Sequence, residues 1–324
     1  MLIHRSHPLG VPTHGDRRAV DLTLGELSPR TLSDELGSHG LRLRTGAIVT
    51  RIRTELPEIA QSMGVVYREH PIESHASFAD FHVCIARPRG VRRWLKPQVV
   101  FEFDGAPPFL PLPADQAFPI LEWGLNWCIS THCHHYLVIH AAVVEQDGRA
   151  LLLPAPPGSG KSTLCAGLVS RGWRLLSDEL ALLDPATGSI APLARPVSLK
   201  NASIEVIRSF APDAVLSATV HDTLKGSVAH MKPPRDSVRR ALESARPRWI
   251  VTPRYQAGAT SDLRPFSRGK AFMQLAQSAF NYHLYGRAGF DLLATTVERS
   301  DCYEFTYSDL ESAVSILAQL AARQ

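Results

Sequence analysis

The spacing of apolar residues changes near residue 134, and this change divides the chain into two predicted parts. Before it, apolar and polar residues alternate over short stretches, which is the period of a half-buried β-strand. These stretches lie at residues 40–54, 81–86 and 99–103. Helical spacing interrupts them at residues 56–63, where Gly64 is expected to end the helix. A mixed α/β domain over residues 1–134 is therefore predicted.

A proline-rich segment, residues 105–113, precedes a second predicted helix. Its prolines lack backbone N–H donors, so neither regular element is favoured there. The helix should begin close to Pro119, which is tolerated in a first turn, and end near Thr131. It places Trp123 and Trp127 four positions apart on one face, and we expect both rings to pack in the core.

Beyond residue 134 the apolar runs become dense, which predicts strands that are buried on both faces. Two such runs flank the turn residues Asp147 and Gly148, and a helix, a short strand and a terminal helix follow. These elements are predicted at residues 137–144, 150–154, 162–170, 173–177 and 310–322. We therefore expect a second domain, an α/β unit with a mixed sheet, over residues 135–324.

Composition supports a globular protein and argues against several function classes. Of the 324 residues, 44% are hydrophobic and 20% are charged, which is typical of globular proteins. The net charge of +4 is too small to indicate nucleic-acid binding. Five cysteines without regular spacing favour a reducing compartment. Because neither a signal peptide nor a membrane-spanning run is visible, we predict a cytoplasmic protein without a membrane partner. Assembly into a homo-oligomer is left open.

Residues 155–163 read Ala-Pro-Pro-Gly-Ser-Gly-Lys-Ser-Thr and fit the phosphate-binding P-loop, with Ala155 in place of the first glycine. Glycines let backbone N–H groups approach phosphate oxygens, and the helix that follows adds its positive end. We expect Lys161 to reach the outer phosphates of ATP and the Ser162 hydroxyl to bind Mg²⁺. The predicted nucleotide-binding residues are Gly158, Ser159, Gly160, Lys161, Ser162 and Thr163.

Two adjacent acids, Asp178 and Glu179, follow the short strand that comes after the P-loop helix. If that strand lay beside the P-loop in a parallel sheet, its carboxyl end would place both acids next to the phosphates. We expect Asp178 to bind Mg²⁺ together with Ser162. One of the two acids would accept a proton from an attacking hydroxyl, and which of them does so stays open.

Several basic residues are weaker candidates for neutralising phosphate charge. They are Arg195, Lys200, Lys225, Lys232 and Arg235. A phosphoryl-transfer enzyme needs such cations, but an ordinary solvated basic surface has the same composition.

Three segments of the chain resemble the HPr kinase/phosphorylase family, and most of all the HPr-kinase-related proteins of biosynthetic clusters. His140 begins His-Ala-Ala-Val-Val, where the family has a histidine followed by a strand. The P-loop comes next, and then Arg-Gly-Trp-Arg-Leu-Leu-Ser-Asp-Glu, where the family has Arg-Gly-His-Arg-Leu, two variable residues and paired aspartates. The resemblance covers residues 138–183. Residues 1–134 do not resemble the family's N-terminal domain, and recognition of a partner or substrate is the role suggested for them.

The resemblance implies a P-loop kinase domain of the HPr kinase and phosphoenolpyruvate carboxykinase type, preceded by a smaller mixed domain. It implies catalytic roles for Lys161, Asp178, Glu179 and His140, and it places His140 near the phosphates. The implied activity is ATP- and Mg²⁺-dependent transfer of the γ-phosphate to a hydroxyl, with a serine of a peptide or protein as the acceptor. A small-molecule kinase acting on an amino acid or sugar, and a nucleotide-binding switch without transfer, are the alternatives.

Overall fold

A computed structural model describes residues 22–88 and 97–323 of the chain, so part of the predicted first domain, residues 1–21 and 89–96, lies outside the described residues. The described residues form a mixed α/β structure with three β-sheets. As far as these residues show, no helix has both the length and the hydrophobicity that a bilayer crossing requires.

The first sheet has six strands in the order β3-β1-β2-β4-β5-β6. They are β1 (Leu41–Thr45), β2 (Ile48–Thr54), β3 (Ile72–Glu73), β4 (Phe81–Ala86), β5 (Gln98–Phe103) and β6 (Leu112–Pro113). The helices of this part are α1 (Pro29–Gly37), α2 (Pro57–Val66) and α3 (Ala117–His132). Every second residue of β1 is buried, because one face of the sheet packs against these helices.

The predicted strands of this part are confirmed, and one predicted helix end is wrong. Helix α2 continues past Gly64 to Val66. Gly64 faces Leu32, whose Cδ2 would lie 3.7 Å from a Cβ at that position, so tertiary packing continues the helix where local preference would end it. Helix α3 includes Pro119 in its first turn, as predicted.

The second sheet has eight strands, of which seven follow the order β11-β10-β7-β8-β15-β17-β16, while β9 also pairs with β7. These strands are β7 (Leu137–Gln146), β8 (Arg149–Pro154), β9 (Arg174–Ser177), β10 (Leu180–Leu183), β11 (Ile190–Ala191), β15 (Arg246–Tyr255), β16 (Asp262–Pro265) and β17 (Asp301–Tyr307). The third sheet pairs β12 (Val197–Lys200), β14 (Gly226–Met231) and β13 (Val220–Thr223), in that order. The predicted mixed sheet is confirmed.

Helices cover both faces of the eight-stranded sheet, which explains its dense apolar runs. They are α4 (Lys161–Ser170), α5 (Ala202–Phe210), α6 (Arg235–Arg239), α7 (Arg268–Ser278), α8 (Tyr282–Glu298) and α9 (Leu310–Ala322). Along β7, Ala142 and Val144 pack in the core that includes α4 and α9. Ala141 and Val143 alternate with them and pack in the core that includes α7 and α8.

We predict that two identical glycine substitutions change stability in opposite directions. A Cβ at Gly124 in α3 would lie 2.2 Å from Cε2 of the buried Phe101 ring. Gly124→Ala should therefore lower the free energy of unfolding by about 1–3 kcal/mol, although alanine favours helices. A Cβ at Gly269 in α7 would meet nothing within 4 Å, so Gly269→Ala should raise the same free energy by about 0.5 kcal/mol.

Urea unfolding followed by circular dichroism measures both effects. Equal stability of Gly124→Ala and the wild type would contradict the packing of α3 on Phe101.

Candidate functional site

Strand β7 organises the site because it pairs antiparallel on both sides. On one side it pairs with β8, which ends at Pro154 opposite Ala141 and leads into the P-loop. On the other side it pairs with β9 and then with β10. The acids Asp178 and Glu179 occupy the two-residue gap between those two strands, and His140 pairs with the first residue of β10.

The P-loop and the acidic pair therefore flank the same point of β7. Strand β9 does not lie beside β8, because β7 lies between them, so the parallel arrangement considered from the sequence is not what brings the acids to the P-loop. Both strands are antiparallel to β7 and so run in the same direction, and their carboxyl ends lie two residues apart along it, opposite Ala141 and Val143. The predicted proximity of the acids to the P-loop is correct for this different reason.

Backbone geometry in the P-loop requires glycine at two positions. Gly158 and Gly160 have φ angles of 83° and 87°, in the left-handed region that residues with a Cβ avoid. A Cβ at Gly158 would meet no atom of the described residues within 4 Å, so among these residues this part of the loop is open to a ligand. A Cβ at Gly160 would lie 2.3 Å from the hydroxyl oxygen of Tyr307.

Two tyrosines that the sequence analysis did not identify support the loop. The hydroxyl of Tyr307 donates a hydrogen bond of 2.8 Å to the Gly160 carbonyl. The backbone N–H of Tyr255 donates one of 2.8 Å to the Ser159 carbonyl. Both tyrosines end strands of the sheet, β15 and β17, that follow the P-loop by about a hundred residues or more, so no local pattern could reveal them.

A chain of alternating charged and polar groups connects the loop to the acids. Lys161 Nζ donates to His140 Nε2 over 2.8 Å. Because an ammonium group has only donors, Nε2 must accept, which leaves the proton of the neutral ring on Nδ1. That nitrogen lies 3.6 Å from Glu179 Oε2, and Lys200 Nζ donates to Glu179 Oε1 over 3.2 Å.

Burial and these neighbours determine the protonation states of the chain. Burial, together with the Lys161 charge, lowers the pKa of His140 to about 4, so the ring is neutral near pH 7. Burial also lowers the pKa of Lys161. Burial by itself would raise the pKa of Glu179, but Lys200 and Lys161 outweigh it and hold this pKa at about 2. Glu179 is therefore an ion-paired carboxylate.

Asp178 differs from Glu179 in having one oxygen without a partner. The side chain is 4% exposed, and its Oδ2 accepts a hydrogen bond of 3.0 Å from the Ser198 backbone N–H. Oδ1 is buried and has no hydrogen-bond partner in the described part of the chain. Burial and the neighbouring Glu179 charge raise the pKa of Asp178 to about 6. A buried, unpartnered carboxylate oxygen can serve as a ligand for a hard cation such as Mg²⁺, so these residues fit a metal.

The structure separates the five basic candidates into three groups. Lys200 and Lys225 lie near the acids, and Lys225 Nζ stands 4.8 Å from the centre of the Trp123 ring. Trp123, expected only to fill the core, therefore also contacts a cation of the site. Lys232 and Arg235 lie elsewhere and contact Glu69, each at 3.3 Å.

Arg195 forms the third group, because it is buried in a polar cluster that joins α3 to the segment before β12. Its guanidinium donates to Glu122 Oε2 over 2.6 Å, to Asn126 Oδ1 over 2.8 Å and to the Tyr67 hydroxyl over 3.3 Å. These partners join helices and strands of the fold and are not among the proposed ligand-binding residues. A buried ion pair of this kind is costly to break. Arg195 is thus placed to connect the two parts of the chain.

A cleft of about 890 Å³ opens beside the first residues of the P-loop. It is lined by His140, Pro156 and Pro157 on one side and by residues of α7 on the other. The lining includes Met273 of α7 and, just after that helix, Phe280, whose exposed fractions are 54% and 47%. The cleft gives a ligand of moderate size access to the His140 side of the site.

The arrangement as a whole suits an anionic ligand that carries a divalent cation. The positive end of α4, the open glycine loop and the Lys161 ammonium favour a negatively charged ligand. The Ser162 hydroxyl lies in the first turn of α4. Ser162 and Asp178 are the residues that could bind the cation. Thr163 follows Ser162 in the same turn.

Three comparisons with known proteins bear on this site. The family model described as SynChlorMet cassette protein ScmC matches residues 122–191, which include His140, the P-loop and both acids but cover less than half of the chain. No curated protein sequence matches. Among solved structures, the Hpr(Ser) kinase/phosphatase from Coxiella burnetii aligns with 57% of this chain and 95% of its own, at 11% identity and a TM-score of 0.27. So low a TM-score supports no conclusion about fold or activity.

We predict that Arg195 and Lys200 respond differently to replacement by methionine. Arg195→Met should lower the free energy of unfolding by about 3–5 kcal/mol, because Glu122 would be left buried without its partner. Lys200→Met removes a partly exposed cation and leaves Glu179 with the Lys161 charge nearby, so it should lower the free energy of unfolding by less than Arg195→Met does. Urea unfolding of the two variants side by side measures the difference, and a small effect of Arg195→Met would contradict its structural role.

We also predict that two buried histidines make the fold sensitive to acid. Burial lowers the pKa of His70 and of His230 to about 4. Between pH 6.5 and pH 4 the unfolded chain binds protons that the folded chain does not, so stability decreases as the pH falls. At pH 5 the loss should be about 2 kcal/mol for each histidine.

Urea unfolding at pH 7.5 and pH 5 tests this dependence, and His230→Gln should weaken it. Independently of any variant, NMR titration should show both rings unprotonated at pH 5 in the folded protein. Protonation of either ring near pH 6.5 would contradict the prediction.

Proposed function

We propose that this protein is an ATP-dependent phosphotransferase that transfers the γ-phosphate to a hydroxyl group. The observation that supports it best is the convergence of the P-loop, His140 and the Asp178–Glu179 pair on one point of β7. Two carboxylates lie near Lys161, and transfer to a hydroxyl needs a proton acceptor in addition to a ligand for the cation, whereas nucleotide binding alone needs only the ligand. The resemblance of residues 138–183 to HPr kinases agrees with this assignment, and a carboxykinase-like P-loop fold for the second part belongs to the same proposal.

In the proposed reaction the acceptor hydroxyl gives its proton to one of the two acids, its oxygen forms a bond to the γ-phosphorus, and the bond from that phosphorus to the β,γ-bridging oxygen breaks. ADP is the leaving group. Lys161 and the N–H groups of the P-loop bind the phosphates and neutralise the charge that develops on them. Bound Mg²⁺, with Ser162 and Asp178 as its protein ligands, would supply further charge neutralisation at the phosphate oxygens.

The two acids have unequal roles in this proposal. Oδ1 of Asp178 has no partner among the described residues, which makes Asp178 the better metal ligand, and its raised pKa makes it the stronger proton acceptor when no metal is bound to it. The ion pair with Lys200 leaves Glu179 weaker in both roles. We infer that Glu179 instead orients His140 and Lys200, so that the neutral His140 ring receives the Lys161 ammonium at 2.8 Å and fixes its direction.

A serine hydroxyl of a peptide or protein is the proposed acceptor. The cleft beside Pro156 and Pro157, at about 890 Å³, is far larger than a single amino acid requires and has room for a peptide segment. Its exposed Met273 and Phe280 would contact apolar residues near the serine. A small-molecule acceptor and a switch protein without transfer are the outcomes that the test below separates from this one.

The test measures ADP release and phosphate transfer from γ-labelled ATP with Mg²⁺, in the presence of serine peptides, free amino acids or sugars. We predict that Lys161→Ala and Asp178→Asn each lower acceptor-dependent turnover by about 100-fold or more, while Glu179→Gln lowers it by about tenfold. The matched controls are Lys232→Ala and Asp184→Asn. Lys232 pairs with Glu69, and the Asp184 carboxylate accepts hydrogen bonds from Ala186 and Thr187 of its own turn. Both should act as the wild type.

Each other outcome has a definite meaning. Normal transfer by Asp178→Asn would place the base and the metal ligand elsewhere. ATP binding without transfer to any acceptor would favour the switch protein. Turnover that no acceptor accelerates would indicate an ATPase.

A further inference from the structure

A second concave surface lies where the first sheet meets α6. It is a cleft of about 680 Å³, lined on one side by residues near the start of the described chain, the β1–β2 turn and the segment before β3, and on the other by residues 235–243. None of the residues proposed to bind phosphate or metal lines it. We call this surface the arginine cleft, and it goes beyond the function proposed above.

Positive charge predominates in the arginine cleft. The five arginines that line it face three glutamates. The arginines are Arg44, Arg68, Arg235, Arg239 and Arg240, and the glutamates are Glu26, Glu69 and Glu243. An excess of cations in a concave surface attracts an anionic ligand more strongly than the same charges would on a convex one.

The three glutamates already have partners within the protein. Glu26 accepts two hydrogen bonds from Thr23, at 2.6 Å from the backbone N–H and 2.9 Å from the hydroxyl. Glu243 pairs with Arg240 at 2.7 Å. Glu69 is bound by two cations of the opposite side, each at 3.3 Å. Glu26 is the one carboxylate of the lining without a cation partner among the described residues, so arginines remain in excess over carboxylates in the cleft.

Two of those arginines, Arg68 and Arg239, are exposed and form no ion pair or side-chain hydrogen bond with any residue that the structure describes. They lie on opposite sides of the cleft. The stem of Arg68 packs on Gly25, where a Cβ would come within 2.4 Å of its Cγ. Arg239 belongs to α6, which is fixed to β9 by a 2.9 Å hydrogen bond from the Leu175 N–H to the Ser237 hydroxyl.

The cleft also offers an apolar contact between its charges. Leu242 lines it and is 68% exposed, and Pro71 lines it from the other side. A small inorganic anion would use the guanidinium groups but would leave Leu242 in water. A peptide with acidic and apolar side chains would use both, since guanidinium groups bind carboxylates through two parallel hydrogen bonds.

We propose that the arginine cleft is a docking site for an acidic polypeptide segment, with carboxylates bound by Arg68 and Arg239 and an apolar side chain against Leu242. Charge complementarity selects this partner, because arginines outnumber carboxylates in the cleft and two of them, Arg68 and Arg239, form no ion pair with any described residue. The site requires no phosphoryl transfer, so it stands or fails independently of the kinase activity.

The test is fluorescence anisotropy of the full-length protein with a short labelled peptide of alternating glutamate and leucine. We expect saturable binding that weakens as the salt concentration rises. Arg68→Glu and Arg239→Glu should each weaken it by about tenfold. Arg299→Glu is the matched control, because Arg299 is also exposed and without an ion pair in the described chain but lies outside the cleft. It should bind as the wild type does.

Further arms separate the proposed partner from others. Leu242→Ser should weaken binding of the peptide, and a peptide with glutamine in place of glutamate should not bind. Unchanged binding by both arginine variants, equal loss in Arg299→Glu, or no binding of the acidic peptide would overturn the proposal. Competition by inorganic triphosphate as strong as that by unlabelled peptide would also overturn it and would assign the cleft to a small anion. Thermal unfolding of each variant confirms that it is folded.

Discussion

The candidate site depends on the antiparallel pairing of β7 along both of its edges. Backbone hydrogen bonds on the two sides determine the register of β7 to a single residue, and both of its faces are buried. A slip of one residue would turn His140 toward the opposite core and would separate it from Lys161. The P-loop, the histidine and the two acids come from separate segments, and this one strand brings them to a common level.

Charge balance is the second constraint on the site. Three contacts give each charge in this part of the site a partner. Lys161 donates to His140, His140 Nδ1 lies near Glu179, and Lys200 donates to Glu179. Asp178 is the exception, with a raised pKa and an unpartnered oxygen. Under the proposed function, this exception is where a cation and a phosphate ligand would complete the balance. The lysines near the two acids outnumber these acids, and a bound phosphate would compensate the excess positive charge.

The first part of the chain contributes to the surroundings of the site. Helix α3 provides Glu122 for the buried pair with Arg195 and the Trp123 ring for Lys225. Val138 and Leu180, from the second sheet, pack in the same core as the first sheet. The boundary near residue 134 stays a prediction, and so does a separate recognition role for residues 1–134. The arginine cleft lies at the same junction, and the docking proposed for it would be such a recognition role.

The sequence by itself determined the elements and the residue types of the site. The P-loop pattern, the Asp147-Gly148 turn and the dense apolar runs predict their local structure, because these features depend on backbone preferences and on periodicity over a few residues. Only the tertiary structure decided which strands are neighbours, that Tyr255 and Tyr307 support the loop, and that Arg195 is structural while Lys225 contacts Trp123. These contacts join residues far apart in the chain, so they depend on strand order and packing, which no local pattern specifies.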